Sequence, residues 1–276
     1  MNRTFVVHFG LGKEGKGVVL SKEKSLLVVD VGNTHTVLGL FLDDRIVRTF
    51  RFASKRIMTS DDCYLQVKPA LQEMGLLPPV DGSAVCSVVP HLTGTYFRAF
   101  ERLSTGTPVV IGGTIPTGIS VKILRPEQVG ADRIANSAAA HRYYGGDRIV
   151  VDLGTATTFD VVSREGEYLG GVISAGIFTS AQHLFEKAAM IPRVDISKPD
   201  TVIGKTTEEA VRSGIYYGTV SQIDGLIERI RKEWGRDGAV IATGGYSQLI
   251  AERSLAIETV DPDLTLRGIK AIWELQ

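Results

Sequence analysis

Two stretches of this chain carry one pattern, and their aspartates, Asp30 and Asp152, lie 122 residues apart. In the first, Leu26-Leu27-Val28-Val29 runs into Asp30-Val31-Gly32-Asn33-Thr34, and a second apolar run extends from Val37 to Leu42. In the second, Ile149-Val150-Val151 runs into Asp152-Leu153-Gly154-Thr155-Ala156-Thr157-Thr158. A short continuous apolar run ending at Asp-x-Gly predicts a buried strand, a tight turn and a return strand. At such a turn Gly32 lets the backbone approach a ligand closely. Asn33 and Thr34 add side-chain donors, and Asp30 offers a carboxylate to a hard cation. These are the parts needed to hold a phosphate and its Mg²⁺. A third echo, Val240-Ile241-Ala242, opens into Thr243-Gly244-Gly245. One Asp-x-Gly turn alone is weak evidence, because hairpins use this chemistry widely. Two copies at half-chain spacing predict a duplicated unit whose phosphate-binding turns face each other across a cleft.

The repeat divides the 276 residues into a leader, 1–24, and two halves, 25–144 and 145–276, each long enough for its own core. The 31 basic and 31 acidic residues cancel, so no long-range field draws the chain to nucleic acid or an anionic membrane. Neither partner is expected, and phosphate binding must be local. The two cysteines, Cys63 and Cys86, lack metal-ligand spacing and read as buried free thiols of a reducing cytosol. No apolar stretch approaches a membrane span, and the N-terminus lacks a signal-peptide core, so a cytoplasmic location is expected. The leader contains a decoy. Gly10-Leu-Gly-Lys-Glu-Gly-Lys-Gly17 nearly spells a P-loop, but Gly17 stands where Ser or Thr must bind Mg²⁺, and no helical pattern follows. A loosely attached leader is the expectation.

Residues 26–52 predict a three-stranded antiparallel meander. A helix over 60–77, a strand over 84–89, a helix over 91–103 and a strand over 108–111 follow. A long helix over 127–144 carries an Ala run suited to close packing at the joint between the halves. Asp132 and Arg133 fall near its N-terminal end, where the helix dipole favours an anion. The second half restarts with strands over 148–152, 157–163 and 167–173 and a helix over 177–189. Helices over 207–216 and 218–234, a strand over 239–242 and a helix over 264–274 complete it. The result is an α/β fold of duplicated β-β-β-α-β-α halves.

With these motifs placed, the chain resembles the acetate/sugar kinase, Hsp70 and actin superfamily, and within it the type III pantothenate kinases. The resemblance covers residues 26–276. It rests on Asp30-Val-Gly-Asn-Thr34, Gly130-Ala-Asp-Arg133, Asp152-Leu-Gly-Thr-Ala-Thr-Thr158, Gly170-Gly-Val-Ile-Ser-Ala-Gly176, Gly204-Lys-Thr-Thr207, Thr243-Gly-Gly245 and Asp263-Leu-Thr-Leu-Arg-Gly268, in that order. It implies duplicated RNase H-like (actin-like ATPase) domains with mixed five-stranded sheets flanked by helices. It also implies ATP-dependent phosphorylation of pantothenate to 4'-phosphopantothenate, the first step of coenzyme A biosynthesis. A homodimer, Mg²⁺ and a monovalent cation (K⁺ or NH₄⁺) come with it. Carried across, Asp30, Val31, Gly32, Asn33, Thr34, His35, Thr36 and Val37 form the ATP phosphate site, Asp30 also holding Mg²⁺ through phosphate. Thr155 contacts ATP, and Asp152 binds the monovalent cation. Gly130, Ala131, Asp132 and Arg133 contact pantothenate, with Asp132 as proton acceptor, and Thr207 touches the same substrate. Two positions depart from the family pattern. Ala175 stands where Pro is usual, which implies a looser loop. Ile123 stands where many members have Tyr, which removes a hydroxyl partner.

Read without the resemblance, several of these residues keep a second meaning. Asp132 also suits a helix start, and Arg133 an ion pair with Asp132 or Glu127. Thr207 suits an N-cap for 208–216. His91, His141 and His183 lack ligand spacing, as does His35, and they read as surface or packing residues. The alternatives in function are a non-catalytic regulatory homologue acting in transcription, or another small-molecule kinase of the superfamily. A regulatory homologue should lack a complete set of reaction carboxylates, so Asp30, Asp132 and Asp152 together favour the enzyme. Because the leader fails as a P-loop at Gly17, deleting residues 1–24 is expected to leave ATP affinity unchanged in titration calorimetry. A large loss of affinity would restore the P-loop reading.

Overall fold

The computed structural model describes residues 23–55, 57–73 and 78–276; the stretch Gly10–Gly17 lies outside them. The chain builds two mixed sheets on one plan. In the first, β1 (Ser25–Val31) pairs antiparallel with β2 (His35–Leu42) and parallel with β4 (Gly82–Ser87). The meander closes with β3 (Arg45–Ala53), and β5 (Val109–Val110) flanks β4, giving the order β3-β2-β1-β4-β5. In the second, β7 (Arg148–Leu153) pairs antiparallel with β8 (Ala156–Val162) and parallel with β10 (Ala239–Thr243). Asp30 and Asp152 are each the second-last residue of the central strand of their sheet. Both faces of these strands are buried, Leu27 and Val29 in one core and Leu26 and Val28 in another, and Ile149 and Val151 apart from Val150 likewise, which is why Leu26–Val29 and Ile149–Val151 read as continuous apolar runs.

The sheets differ in one respect from the expected pair of five. The second has six strands, β11-β10-β7-β8-β9-β6, because β6 (Ser120–Val121) lies parallel to β9 (Glu167–Ala175). Both β6 and β11 (Thr259–Val260) are only two residues long, too short for a period-2 pattern to reveal. The helices depart similarly at their ends. The expected helix 127–144 is a 3₁₀ turn at Pro126–Gln128, then α3 (Ala131–Ala139), then one wider π-turn at Ala140–Tyr144. The two helices expected over 207–234 are one, α5 (Thr207–Trp234), of 28 residues. Gly218 interrupts the residue pattern but not the hydrogen-bonded helix, since a single Gly costs only about 1 kcal/mol there. Thr206, not Thr207, is its N-cap: Glu209 N–H donates to Thr206 Oγ1 at 3.2 Å, and Thr206 N–H donates to Glu209 Oε2 at 3.3 Å. The remaining helices are α1 (Ser60–Glu73), α2 (Pro90–Glu101), α4 (Ile177–Lys187), α6 (Ser247–Ala251) and α7 (Leu264–Trp273). Among the described residues no helix is long and apolar enough to cross a membrane. Cys63 and Cys86 are free and buried.

The joint between the sheets is made by α3 and α7. Ile134, Ala135 and Ala138 of α3 and Leu266, Ile269 and Ile272 of α7 share one core cluster with Leu26, Val28 and Ala84 of the first sheet. The last helix thus packs against β1, the first strand among the described residues. The helices touch where Gly268 meets the Ala135 carbonyl, and a Cβ on Gly268 would lie inside that oxygen's contact radius. Gly268→Ala is therefore expected to destabilise the protein by roughly 1–3 kcal/mol, through overpacking that a backbone oxygen cannot relieve. Gly225→Ala, in an open stretch of α5, should instead stabilise by about 0.5–1 kcal/mol. Urea unfolding of both variants checks the pair, and equal effects would show that the α3–α7 contact is slack.

Candidate active site

Each Asp-x-Gly turn is braced by hydrogen bonds from outside it. In the first, Gly32 N–H donates to the His35 carbonyl at 3.0 Å. Ser54, just beyond β3, donates its N–H to Thr34 O at 2.9 Å and its hydroxyl to Gly32 O at 2.6 Å, and it pairs with Thr36 Oγ1 at 2.9 Å. In the second, Gly154 N–H donates to Ala156 O at 3.0 Å, Gly176 N–H to Thr155 O at 3.1 Å, and Thr179 Oγ1 to Thr155 O at 2.7 Å. Gly176 lies so close to Gly154 and Thr155 that no Cβ fits there. The preceding Ala175 ends β9, exposed, without disturbing that contact. The turns meet: Thr34 Oγ1 and Thr155 Oγ1 are 2.8 Å apart. The two turns expected from the repeat to face each other do so, with their hydroxyls within hydrogen-bond distance. The third echo closes over the second turn. Gly244, at φ +90°, sits where a Cβ would come within 2.5 Å of Asp152 Oδ1. A side chain there would displace the carboxylate.

Three carboxylates gather beneath these turns. Asp30 is pushed up to about 8, first by burial and then by the negative charges of Asp132 and Asp152, against the pull of Arg51. Asp152 is pushed up to about 6 by burial and by Asp132, while Asn136 and Arg51 oppose. Burial also raises Asp132; the backbone N–H of Arg133, 2.8 Å from its Oδ1, and the Arg133 charge work against that. Repulsion from Asp132, felt by both Asp30 and Asp152, marks groups that lie near one another. The donors around it are carboxylate and hydroxyl oxygens, the chemistry of a hard cation. Among the described residues no three or more acidic, His or Cys groups close around a single metal ion. Oxygen donors of this kind fit Mg²⁺, which is usually held by one or two carboxylates together with substrate phosphates.

Several partners here escaped the sequence. Asn136, buried on α3, donates Nδ2 to Asp152 Oδ2 at 3.0 Å and accepts from Thr265 Oγ1 of α7 at 2.7 Å. It lies four residues after Asp132, hence on the same helix face, and that spacing was available as a signal. Arg133 does pair with a carboxylate, but with Asp160 of β8 rather than Asp132 or Glu127: Nε donates to Asp160 Oδ1 at 2.7 Å. Sequence distance hides that contact, although an Asp inside Phe159-Asp160-Val161-Val162 is anomalous by itself. Arg51, on β3, brings Nη1 within 3.7 Å of the Cβ position of Gly245. Ile123 packs beside Gly170. Thr207 stands apart from these groups. It lines an apolar groove between α4 and α5, about 650 Å³, with Ile177, Ala181, Leu184 and Gly214, and none of the three aspartates borders that groove.

Comparison with known proteins gives a consistent result. The family profile for type III pantothenate kinases matches residues 26–229. A type III pantothenate kinase from Bacillus cytotoxicus is 41% identical over 250 residues, spanning 90% of this chain and 95% of the relative. Among solved structures, a putative Baf family transcriptional activator from Campylobacter jejuni aligns with a TM-score of 0.57 at 21% identity, over 90% of this chain and 97% of that one. A ROK family glucokinase from Streptomyces griseus aligns at 0.52 and 13% identity, over 91% and 99%. The archaeal actin homologue Ta0583 aligns at 0.52 and 15% identity, over 91% and 100%. At such identities the structures share the fold with this chain, the actin-like arrangement of two related halves.

The raised carboxylates carry a consequence for stability. A carboxylate whose folded pKa exceeds its unfolded value near 3.9 binds more protons in the folded state, so stability falls as pH rises between the two values. For Asp30 that window runs up to about 8. In the absence of nucleotide and metal, Asp30→Asn is expected to raise the melting temperature at pH 8 and to do little at pH 4. Calorimetric scans at both pH values test this. A variant that melts lower at pH 8 would mean that the Asp30 charge is compensated within the fold.

Proposed function

As the chain belongs to the type III pantothenate kinase family, we propose that its phosphoryl transfer takes place where the two turns meet, over Asp30, Asp132 and Asp152. The protein phosphorylates pantothenate at the expense of ATP, and so serves coenzyme A biosynthesis. The observation that carries the location is the 2.8 Å contact of Thr34 with Thr155 above the three coupled carboxylates. The first turn, Asp30 to Val37, offers backbone N–H groups and the hydroxyls of Thr34 and Thr36 to the ATP phosphates. Thr155 adds a hydroxyl from the opposite side. Phosphoryl transfer needs mainly positioning and charge neutralisation, and little covalent chemistry from the protein.

Asp132 is the proton acceptor in this reading. This is supported by its place at the start of α3, beside Gly130 and Ala131, and by a carboxylate raised by burial near Asp30 and Asp152. A base with a pKa above the usual carboxylate range holds a proton better near neutral pH. In a loose transition state the attacking hydroxyl loses its proton late, so Asp132 first orients the hydroxyl and then accepts the proton. Arg133, next in sequence, faces the anionic end of pantothenate. Mg²⁺ would supply neutralisation of the phosphate charge, with Asp30 as the residue holding it through phosphate. Asp152, with Oδ2 bonded to Asn136 and Oδ1 beside Gly244, would hold K⁺ or NH₄⁺. The groove at Thr207, with exposed Phe178 nearby on α4, is the surface we assign to a homodimer, which would bring Thr207 to pantothenate across the interface. ATP as donor fits work in the cytoplasm. The complete carboxylate set favours this kinase over a non-catalytic regulator acting in transcription.

Asp132→Asn keeps size and helix start and removes the charge. Turnover is expected to fall about 10²–10⁴-fold, the usual loss for a general base. ATP affinity, held by the two turns, should change little. ADP release and titration calorimetry on one preparation separate the two. Near-normal turnover would remove Asp132 as the base, and an equal loss of ATP affinity would move it to the phosphate site.

A further inference from the structure

Asp160 is a buried charge that the reaction as described leaves without a task. It lies on β8 at 0% exposure, and burial pushes it up to about 7 against the pull of Arg133. Its surroundings are built to seat a guanidinium. Arg133 Nε donates to Asp160 Oδ1 at 2.7 Å, and Arg133 Nη2 donates to the Phe159 carbonyl at 3.3 Å. The Tyr168 ring lies 5.7 Å from the guanidinium carbon, and its hydroxyl rests against Asp160. On the neighbouring strand Gly171 stands opposite Asp160; a Cβ there would strike the Phe159 carbonyl and come within 2.9 Å of Arg133 Nη2. Arg133 is thus fixed along its Nε–Nη2 edge, with its side chain 14% exposed. Nη1 has no hydrogen bond among the described residues.

A packing role does not account for this arrangement. A buried ion pair gains little stability over apolar side chains of the same volume, because desolvating both charges cancels most of the attraction. What the pair does provide is a guanidinium of fixed orientation with one edge left over. Such a fork, poor in water, is suited to a carboxylate, which it grips with charge-assisted hydrogen bonds. We infer that Asp160 is a positioning residue: through Arg133 it fixes the guanidinium edge that selects the carboxylate end of the acceptor substrate. This rests on the reading that Arg133 contacts pantothenate. It also revises how such a grip is made, because Nε is already taken and only the Nη1–Nη2 edge remains.

The test compares pantothenate with its primary-alcohol analogue, in which CH₂OH replaces the carboxylate, at saturating ATP. In Asp160→Asn, KM for pantothenate is expected to rise about 10–100-fold, the loss typical of a charge-assisted hydrogen bond, with kcat little changed. Kinetics with the alcohol and KM for ATP should stay within about 3-fold, a change below one hydrogen bond. The preference for acid over alcohol would then collapse, as it should in Arg133→Met. Tyr168→Phe, which keeps the ion pair and removes the hydroxyl, should shift the preference the same way by less, and it serves if Asp160→Asn does not fold. A lowered melting temperature with an unchanged acid preference in Asp160→Asn, while Arg133→Met loses the preference, overturns the positioning role alone. An unchanged preference in both overturns the Arg133 reading, and the Asp160 role with it.

Discussion

The burial of Asp30, Asp132 and Asp152 near one another is the constraint around which the rest of the structure is arranged. Burial raises all three carboxylates, and the negative charges of neighbours raise Asp30 and Asp152 further, Asp30 most. Such a cluster persists only when the surrounding elements fix each member independently. Asp30 is fixed by a central strand paired on both sides, and Asp152 by its counterpart in the other sheet. Asp132 is fixed at the first turn of α3, where its own helix supplies N–H donors. The two sheets can share this cluster because α3 and α7 lie between them and because Asn136 ties Asp152 to both helices.

The bracing has a common method, the removal of side chains at the points of closest approach. Gly176 against Thr155, Gly244 against Asp152, Gly171 against Phe159 and Gly268 against Ala135 each bring backbone to a place where a methyl group would not fit. Such contacts are short-ranged and stiff, so they hold the turns and the guanidinium of Arg133 to positions that long side chains would leave loose. The electrostatic strain at the site is set against that stiffness, a common relation between a binding site and its scaffold.

Much of the plan was legible in the residues. The central strands were readable because strands buried on both faces are apolar throughout, and the facing turns because the same pattern occurs twice. The Ala run of α3 announced close packing, and α7 was expected from its start after Asp263. The short elements β6, β11 and α6 were not legible, because they are too short for a period and, unlike β5 and β10, do not show as continuous apolar runs. The unbroken α5 was missed because a glycine weakens a helix without ending it. Nor was the seat of Arg133 legible: Asp160 lies 27 residues away, and only the pairing of β8 with β9 and the packing of α3 beside them bring the two together.

The sequence by itself determined the two turns, the strands that lead into them and the residue types available for holding phosphate and moving a proton. Those follow from local rules: apolar runs, Asp-x-Gly turns and helix periods act within a few residues. Tertiary structure alone decided which charges meet. Thr34 reaches Thr155, Asn136 reaches Asp152 and Arg133 reaches Asp160 only when the two sheets close on α3 and α7. The same closure decided the protonation of the aspartates, because a carboxylate's pKa depends on burial and neighbouring charge, and neither is a property of its own stretch of chain.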